Sequence, residues 1–127
     1  MNRRKAPRPR FQAYDRGLWA ERLAALMLGL KGYRILGRRY QTPVGEIDLI
    51  VRKGEILAFV EVKYRKNTAQ ALAALTPRQR DRVGRAAQLF VSARPDLAHL
   101  DQRFDVVLVT IEKLMQHIKN YWQPSLK

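Results

Sequence analysis

The stretch Gly45–Lys63 reads GEIDLIVRKGEILAFVEVK. Two short apolar runs flank Arg52-Lys53-Gly54-Glu55, so the pattern predicts two strands joined by a hairpin turn. Core strands normally avoid charge, yet Glu46, Asp48, Glu61 and Lys63 interrupt these two. Alternate residues of a strand share a face. A two-residue loop at Lys53-Gly54 pairs Val51 with Ile56 and Asp48 with Phe59. Asp48, Glu61 and Lys63 then lie on one side of the sheet. Asp48 and Glu61 become diagonal neighbours, about 7–8 Å apart at the backbone and closer at their tips. A slip of one residue would destroy that arrangement.

Two carboxylates so placed repel each other unless a positive charge joins them. Mg²⁺ or Mn²⁺ is the natural partner, because a hard ion needs only one or two carboxylates beside waters and phosphate oxygens. Lys63 on the same face can hold an attacking water and the scissile phosphate. These are the parts of metal-assisted phosphodiester hydrolysis. Spacing alone leaves a second reading open, an exposed Asp/Glu/Lys ion-pair cluster. Glu55 belongs to the turn, and Glu46 sits at the edge of the group.

Outward from the hairpin, residues 15–31 read as a helix. Trp19, Leu23, Leu26 and Leu30 recur at helical spacing, and Gly32 ends the pattern. Trp19 and Phe59 are expected in the core. Glu21 has the small or apolar neighbours Gly17, Leu18, Ala24 and Ala25 three and four residues away. A lone buried carboxylate is costly, so Glu21 is expected to join the acidic group or to pair with an arginine. YRILGRRY predicts a first strand. Residues 66–75 read as an alanine-rich loop. Thr76-Pro77 starts a second helix, with Gln79 completing a capping box and Pro95 ending it. FDVVLVTI is a near-continuous apolar strand, as expected for burial on both faces. The segment from Glu112 onward is ambiguous, and the roles of His117 and Trp122 stay open. Helix, three strands, helix and strand imply an α/β or α+β sandwich.

The chain has 127 residues, 25 Lys+Arg against 11 Asp+Glu, a formal net charge of +14 and no cysteine. That length suits one domain, here residues 13–127, behind a basic disordered tail at 1–12. The charge points to a polyanion: nucleic acid first, an anionic membrane surface second. Without cysteine there are no disulfides, thiolate metal sites or cysteine nucleophiles. The longest apolar run, Leu23–Leu30, is too short to span a bilayer. Charges interrupt any signal-peptide core, so a cytoplasmic protein is expected.

Asp48, twelve residues, then Glu61-Val62-Lys63 resembles the PD-(D/E)xK nuclease signature. GxxxE at 17–21, GEIDLI at 45–50, FVEVKYR at 59–65 and RFDVVLV at 103–109 resemble the YraN family of small bacterial proteins. That family is related to the Holliday-junction resolvases. The resemblance spans residues 14–118. It implies a restriction-endonuclease-like αβββαβ core with a mixed central sheet flanked by helices. It also implies metal ligation by Glu21, Asp48 and Glu61, assisted by the Val62 carbonyl, and catalysis by Lys63, Asp48 and Glu61. Gln79 matches a glutamine of such nucleases, and Asp105 matches the family's FDVV strand in a structural role. By analogy with resolvases it implies a homodimer, since a symmetric junction needs two cuts.

Arg78, Arg82 and Arg85 fall on one face of the second helix. With Arg38, Arg39, Arg65, Lys66 and Gln79 they are candidate phosphate contacts flanking the acids. The expected activity is a Mg²⁺- or Mn²⁺-dependent endonuclease on DNA, branched DNA included. The alternative is a DNA- or RNA-binding module, or a repair-complex partner, that does not cut.

Overall fold

The computed structural model describes residues 8–124, and side-chain surroundings from Gly17 onward. The two charged runs form strands β2 (Gly45–Lys53) and β3 (Ile56–Arg65). Their hairpin closes one position later than the turn chemistry of Lys53-Gly54 suggests. Lys53 pairs with Ile56 and Val51 with Ala58, so Gly54-Glu55 is the two-residue loop. The reason is local: Gly54 takes φ 60° at the first loop position, as a tight hairpin turn starting with glycine requires. A slip of two residues keeps the side chains from Leu49 to Lys53 and along β3 on their expected faces. Continued, the register sets Asp48 directly opposite Glu61 rather than diagonal to it.

The sheet has five strands in the order β1-β2-β3-β4-β5. β1 (Arg34–Thr42) lies antiparallel to β2, and β3 runs parallel to β4 (Asp101–Thr110) over their whole lengths. The segment after Glu112, ambiguous in sequence, supplies β5 (Gln116–Trp122), antiparallel to β4. Phe104 through Thr110 are buried, as expected for a central strand covered on both faces. Parallel pairing of β3 and β4 needs a crossover. α2 (Thr68–Ala73) and α3 (Pro77–Ala93) provide it. The stretch expected as a loop thus holds a helix, capped by Asn67 Oδ1, which accepts from the Gln70 N–H at 2.9 Å. The whole is an α/β fold with the restriction-endonuclease-like αβββαβ order, extended by β5.

α1 spans Arg8–Leu30, so residues 8–12 of the expected tail are helical. Pro9 falls in the first turn, where its missing N–H removes no helical bond. Residues 1–7 of that tail lie outside the described residues. The face α1 buries is not the large-residue stripe the sequence suggests. Ala20, Ala24, Ala25 and Leu28 are buried against β2, β3 and β4, while Trp19 is 49%, Leu26 61% and Leu30 81% exposed. Small side chains let the helix axis lie close to the sheet; of the bulky stripe Leu23 packs partly against it, and the other three are turned away.

α3 covers the opposite face with Val83, Ala87 and Phe90, packing on Ile50, Leu57, Phe59 and Phe104. Gly45 makes this approach possible: a Cβ there would stand 2.1 Å from the Arg82 carbonyl oxygen. The two layers also expose a break in β2. Ile47 and Ile50 belong to the α3 layer, Leu49 and Val51 to the α1 layer. Ile47 and Leu49 would share a face in a regular strand, so alternation fails at Asp48. The ladder to β3 ends at the same place, with Leu49 opposite Val60 as its last pair.

Candidate functional site: an acidic cavity where two strands part

Where β2 leaves β3, a cavity of about 690 Å³ opens between α1 and α3. It lies at the carboxyl ends of the parallel strands β3 and β4, the usual side for sites in α/β sheets. Asp48, Glu61, Val62 and Lys63 line it together with Glu21, Glu46, Gln79 and Arg82. The Val62 N–H, freed from the ladder, donates to Asp48 Oδ2 at 2.8 Å. Glu61 and Lys63 follow Leu57 and Phe59 on the α3 side and are only 5% and 9% exposed. Lys63 Nζ stands 3.3 Å from Glu61 Oε2. Gln79 Nε2 donates to the same oxygen at 3.0 Å.

That bond corrects the reading of Gln79. The Thr76 hydroxyl caps α3 by accepting from the Gln79 N–H at 3.2 Å. The Gln79 side chain does not close the box, because its amide is spent on Glu61. Glu21 satisfies both of its expectations. Its Oε1 pairs with Arg39 Nε at 3.2 Å, and it lines the same cavity as Asp48, whose charge acts on it.

The three acids hold their protons unusually tightly. Burial pushes Glu61 up to about 8, the facing Asp48 charge adds to this, and Lys63 opposes it. Burial likewise raises Asp48, against the Val62 hydrogen bond and the Lys63 charge. Burial and then Asp48 raise Glu21, with Arg39 and Arg38 pulling the other way. Desolvated carboxylates with too little positive charge near them behave in this way. Among the described residues, no three acidic or histidine side chains converge as a complete cage for a metal ion.

The expected basic residues divide by location. Arg65, Lys66 and Arg82 line the cavity with Gln79. Arg38 and Arg39 approach it through Glu21. Arg78 is exposed on the first turn of α3, and Arg85 borders a separate shallow groove with Val44 and Leu89. Sequence reasoning missed Ile111, which lines the cavity just past β4. It also placed Trp19 in the core, whereas the ring is half-exposed and edge-on to Tyr64, another lining residue, at 6.3 Å between centroids.

A second polar group lies away from the cavity. Asp105, fully buried, receives both Arg103 Nε and Nη2 at 2.9 Å, His117 Nε2 at 2.9 Å and the Asn120 N–H at 2.9 Å. Arg103 also donates to the Tyr33 hydroxyl at 2.6 Å. Lys31 Nζ reaches His117 Nδ1 at 2.6 Å. An ammonium can only donate, so Nδ1 accepts and Nε2 carries the proton given to Asp105. This network pins β5 across the irregular pairing between Phe104 and Val106, which is the structural role expected of Asp105. It also settles the two residues the sequence left open. His117 is inside the network, and Trp122 is buried against Phe104 at 5.3 Å. No helix of the described residues is long and apolar enough to cross a membrane.

Comparison with known sequences bears on this arrangement. Residues 20–109, from α1 to the end of β4, match the profile described as "Uncharacterised protein family UPF0102". A UPF0102 protein of Parvibaculum lavamentivorans is 48% identical over 122 residues, covering 96% of this chain and 92% of the relative. One from Maricaulis maris is 49% identical over 118 residues, covering 93% of each. Another from Paramagnetospirillum magneticum is 46% identical over 127 residues, covering 97% of this chain and 98% of the relative. With the profile spanning the acidic cavity and these relatives matching nearly end to end, the chain belongs to the UPF0102 family, the YraN-like family.

Proposed function

We propose that the protein is a divalent-metal-dependent endonuclease that hydrolyses phosphodiester bonds in DNA, with branched DNA among its substrates. One observation carries this reading: the half-buried Asp48 carboxyl and the buried Glu61 carboxyl, on facing strands, share a basic-rimmed cavity with Lys63. Two carboxylates with raised proton affinity form a donor set that a hard divalent cation relieves. Such an ion fits without a third protein carboxylate, because waters and phosphate oxygens complete its shell. Asp48 and Glu61 would hold Mg²⁺ or Mn²⁺, with Glu21 and the Val62 carbonyl as further donors. When bound, the ion supplies Lewis acidity to the phosphate and acidifies a water.

The chain's own groups do the rest. Lys63 holds the attacking water and steadies charge developing on phosphate oxygens. Gln79 fixes the Glu61 carboxyl, and the Val62 N–H fixes that of Asp48. Arg65, Lys66 and Arg82 draw the phosphate backbone to the cavity, while Arg38, Arg39, Arg78 and Arg85 extend the positive surface around it. This reading goes with a cytosolic protein, and with two copies acting together when the substrate is two-fold symmetric.

A second reading has its own observation. Arg39 already neutralises Glu21, and no three acids form a metal cage among the described residues. Such a site suits a module that binds nucleic acid without cutting it.

One assay separates the two. Linear, flapped and four-way DNA are incubated with the protein in EDTA, Mg²⁺ or Mn²⁺. The nuclease reading expects cleavage only with metal, reduced at least ~10²-fold by Asp48→Ala, Glu61→Gln or Lys63→Ala. Binding without cleavage in every metal favours the module. Cleavage that survives all three substitutions rejects these residues as the site.

A further inference from the structure

The rim of the acidic cavity carries a feature that phosphate attraction does not require. Tyr64, Arg65, Lys66 and Ile111 line it, and the Ile111 N–H is held by the Lys66 carbonyl at 3.3 Å. Trp19 stands outside Tyr64, edge-on at 79°, with the ring half open to solvent. Ile111 is 73% exposed. This rim therefore brings together an indole, a phenol, two cations and a branched aliphatic chain. Large exposed apolar groups grouped beside charge mark a binding surface rather than ordinary surface scatter.

A duplex lying on this rim would offer phosphates to Arg65 and Lys66 and nothing to the rings, because its bases are stacked inside. An unpaired nucleotide offers both its phosphate and the π-face of its base. Aromatic platforms interleaved with basic residues bind single strands in this way, whatever the base. We infer that Trp19, Tyr64 and Ile111 form a stacking platform for an unpaired nucleobase next to the acidic cavity. The preferred substrate is thus DNA with single-stranded character, such as a flap, a gap or an opened branch point. This inference rests on the nucleic-acid reading above. It names the part of the substrate which that site takes.

The protein reports on itself, since it has two tryptophans. Trp19 is half-exposed and Trp122 is buried, so fluorescence quenching on binding reads Trp19. The full chain in EDTA, where nothing is cut, is titrated with a DNA single strand, the same sequence as a blunt duplex, and a duplex with a three-nucleotide gap. Strand and gapped duplex should quench the fluorescence, and the blunt duplex should not. Trp19→Ala should abolish the quenching and weaken binding to strand and gap by roughly 5- to 100-fold. It should leave blunt-duplex affinity unchanged, and Trp19→Phe should restore most of the loss. Far-UV circular dichroism checks that the exposed-site variants fold. Salt-sensitive binding that Trp19→Ala leaves unaltered overturns the platform while the nucleic-acid reading stands. If the unaltered protein binds none of the three DNAs, the nucleic-acid reading itself falls. Trp19 emission that shifts with protein concentration, without DNA, means a second copy covers the ring and also overturns the platform.

Discussion

Asp105 and Glu61 are both buried acids on adjacent strands, and the protein treats them oppositely. Asp105 is met by an arginine fork, a histidine N–H and a backbone N–H. Burial alone would raise its pKa, but the hydrogen bonds from His117, Arg103 and Asn120 outweigh it and hold the acid down at about 2. Glu61 receives one lysine and one amide on a single oxygen and faces a second acid, and burial pushes it up to about 8. The fold can therefore satisfy a buried carboxylate fully, and at Glu61 it does not. On the proposed reading, a cluster kept short of positive charge beside an open cavity takes a cation from outside. A cluster saturated from within is a structural clasp.

The contrast is tested most severely at the clasp. Asp105→Ala leaves the Arg103 guanidinium and the Asn120 N–H without their acceptor. Removing one partner of a buried charged pair costs roughly 3–5 kcal/mol, measurable by urea unfolding at neutral pH. The sign with pH follows from the lowered pKa. The Asp105 contribution is complete above the unfolded value of 3.8 and is lost as pH falls through about 2. The variant should lack that acid limb. A loss below about 1 kcal/mol would mean that the network adds little and that the two acids differ less than their partners imply.

The acidic cavity should respond the other way. The folded pKa of Glu61 lies above its ordinary value of 4.5. Its contribution to stability is therefore full below about pH 4.5 and is lost as pH rises through about 8. Metal-free protein should melt at progressively lower temperature between pH 5 and 8, and Mg²⁺ should flatten that slope. Glu61→Gln keeps the shape without the charge. It should flatten the slope and unfold about 1–3 kcal/mol harder than the unaltered protein at pH 8. Destabilisation by Glu61→Gln at that pH would make Glu61 a second clasp.

Much of this was legible in the sequence, and the gaps have physical causes. Face assignment in β2 and β3 survives a two-residue slip because strand periodicity is two, so Asp48, Glu61 and Lys63 were placed together despite the wrong pairing. The break at Asp48 is invisible in the sequence, since no glycine or proline marks it; the layer assignment of Ile47 and Leu49 and the end of the ladder at Leu49–Val60 betray it. Helical periodicity found α1 but chose its large residues as the buried face. Close packing on a sheet rewards alanine, and a period of 3.6 does not distinguish two apolar stripes on one helix. That error hid Trp19. The Asp105 clasp joins Lys31, Tyr33, Arg103 and His117 across three parts of the chain, and no local pattern announces such a meeting. The short α2 helix fell below the length at which periodicity speaks.

The smallest effect concerns the residue that tempers the acidic cavity from the β1 side. Arg39 holds φ 51° in the middle of a strand, a left-handed conformation that costs an L-residue roughly 1–2 kcal/mol. Its Nε meets Glu21 at 3.2 Å, with the two side chains 42% and 18% exposed. A pair so open to solvent is worth about 0–1 kcal/mol. Arg39→Gly and Arg39→Ala both remove the guanidinium, but only glycine occupies this φ freely. Their difference isolates the strain: the glycine variant should be more stable than the alanine variant by about 1 kcal/mol and should equal or exceed the unaltered protein. Both should bind DNA more weakly if the guanidinium is held at the cavity for the phosphate backbone. Equal stability of the two variants would mean that the strand accepts this conformation without strain.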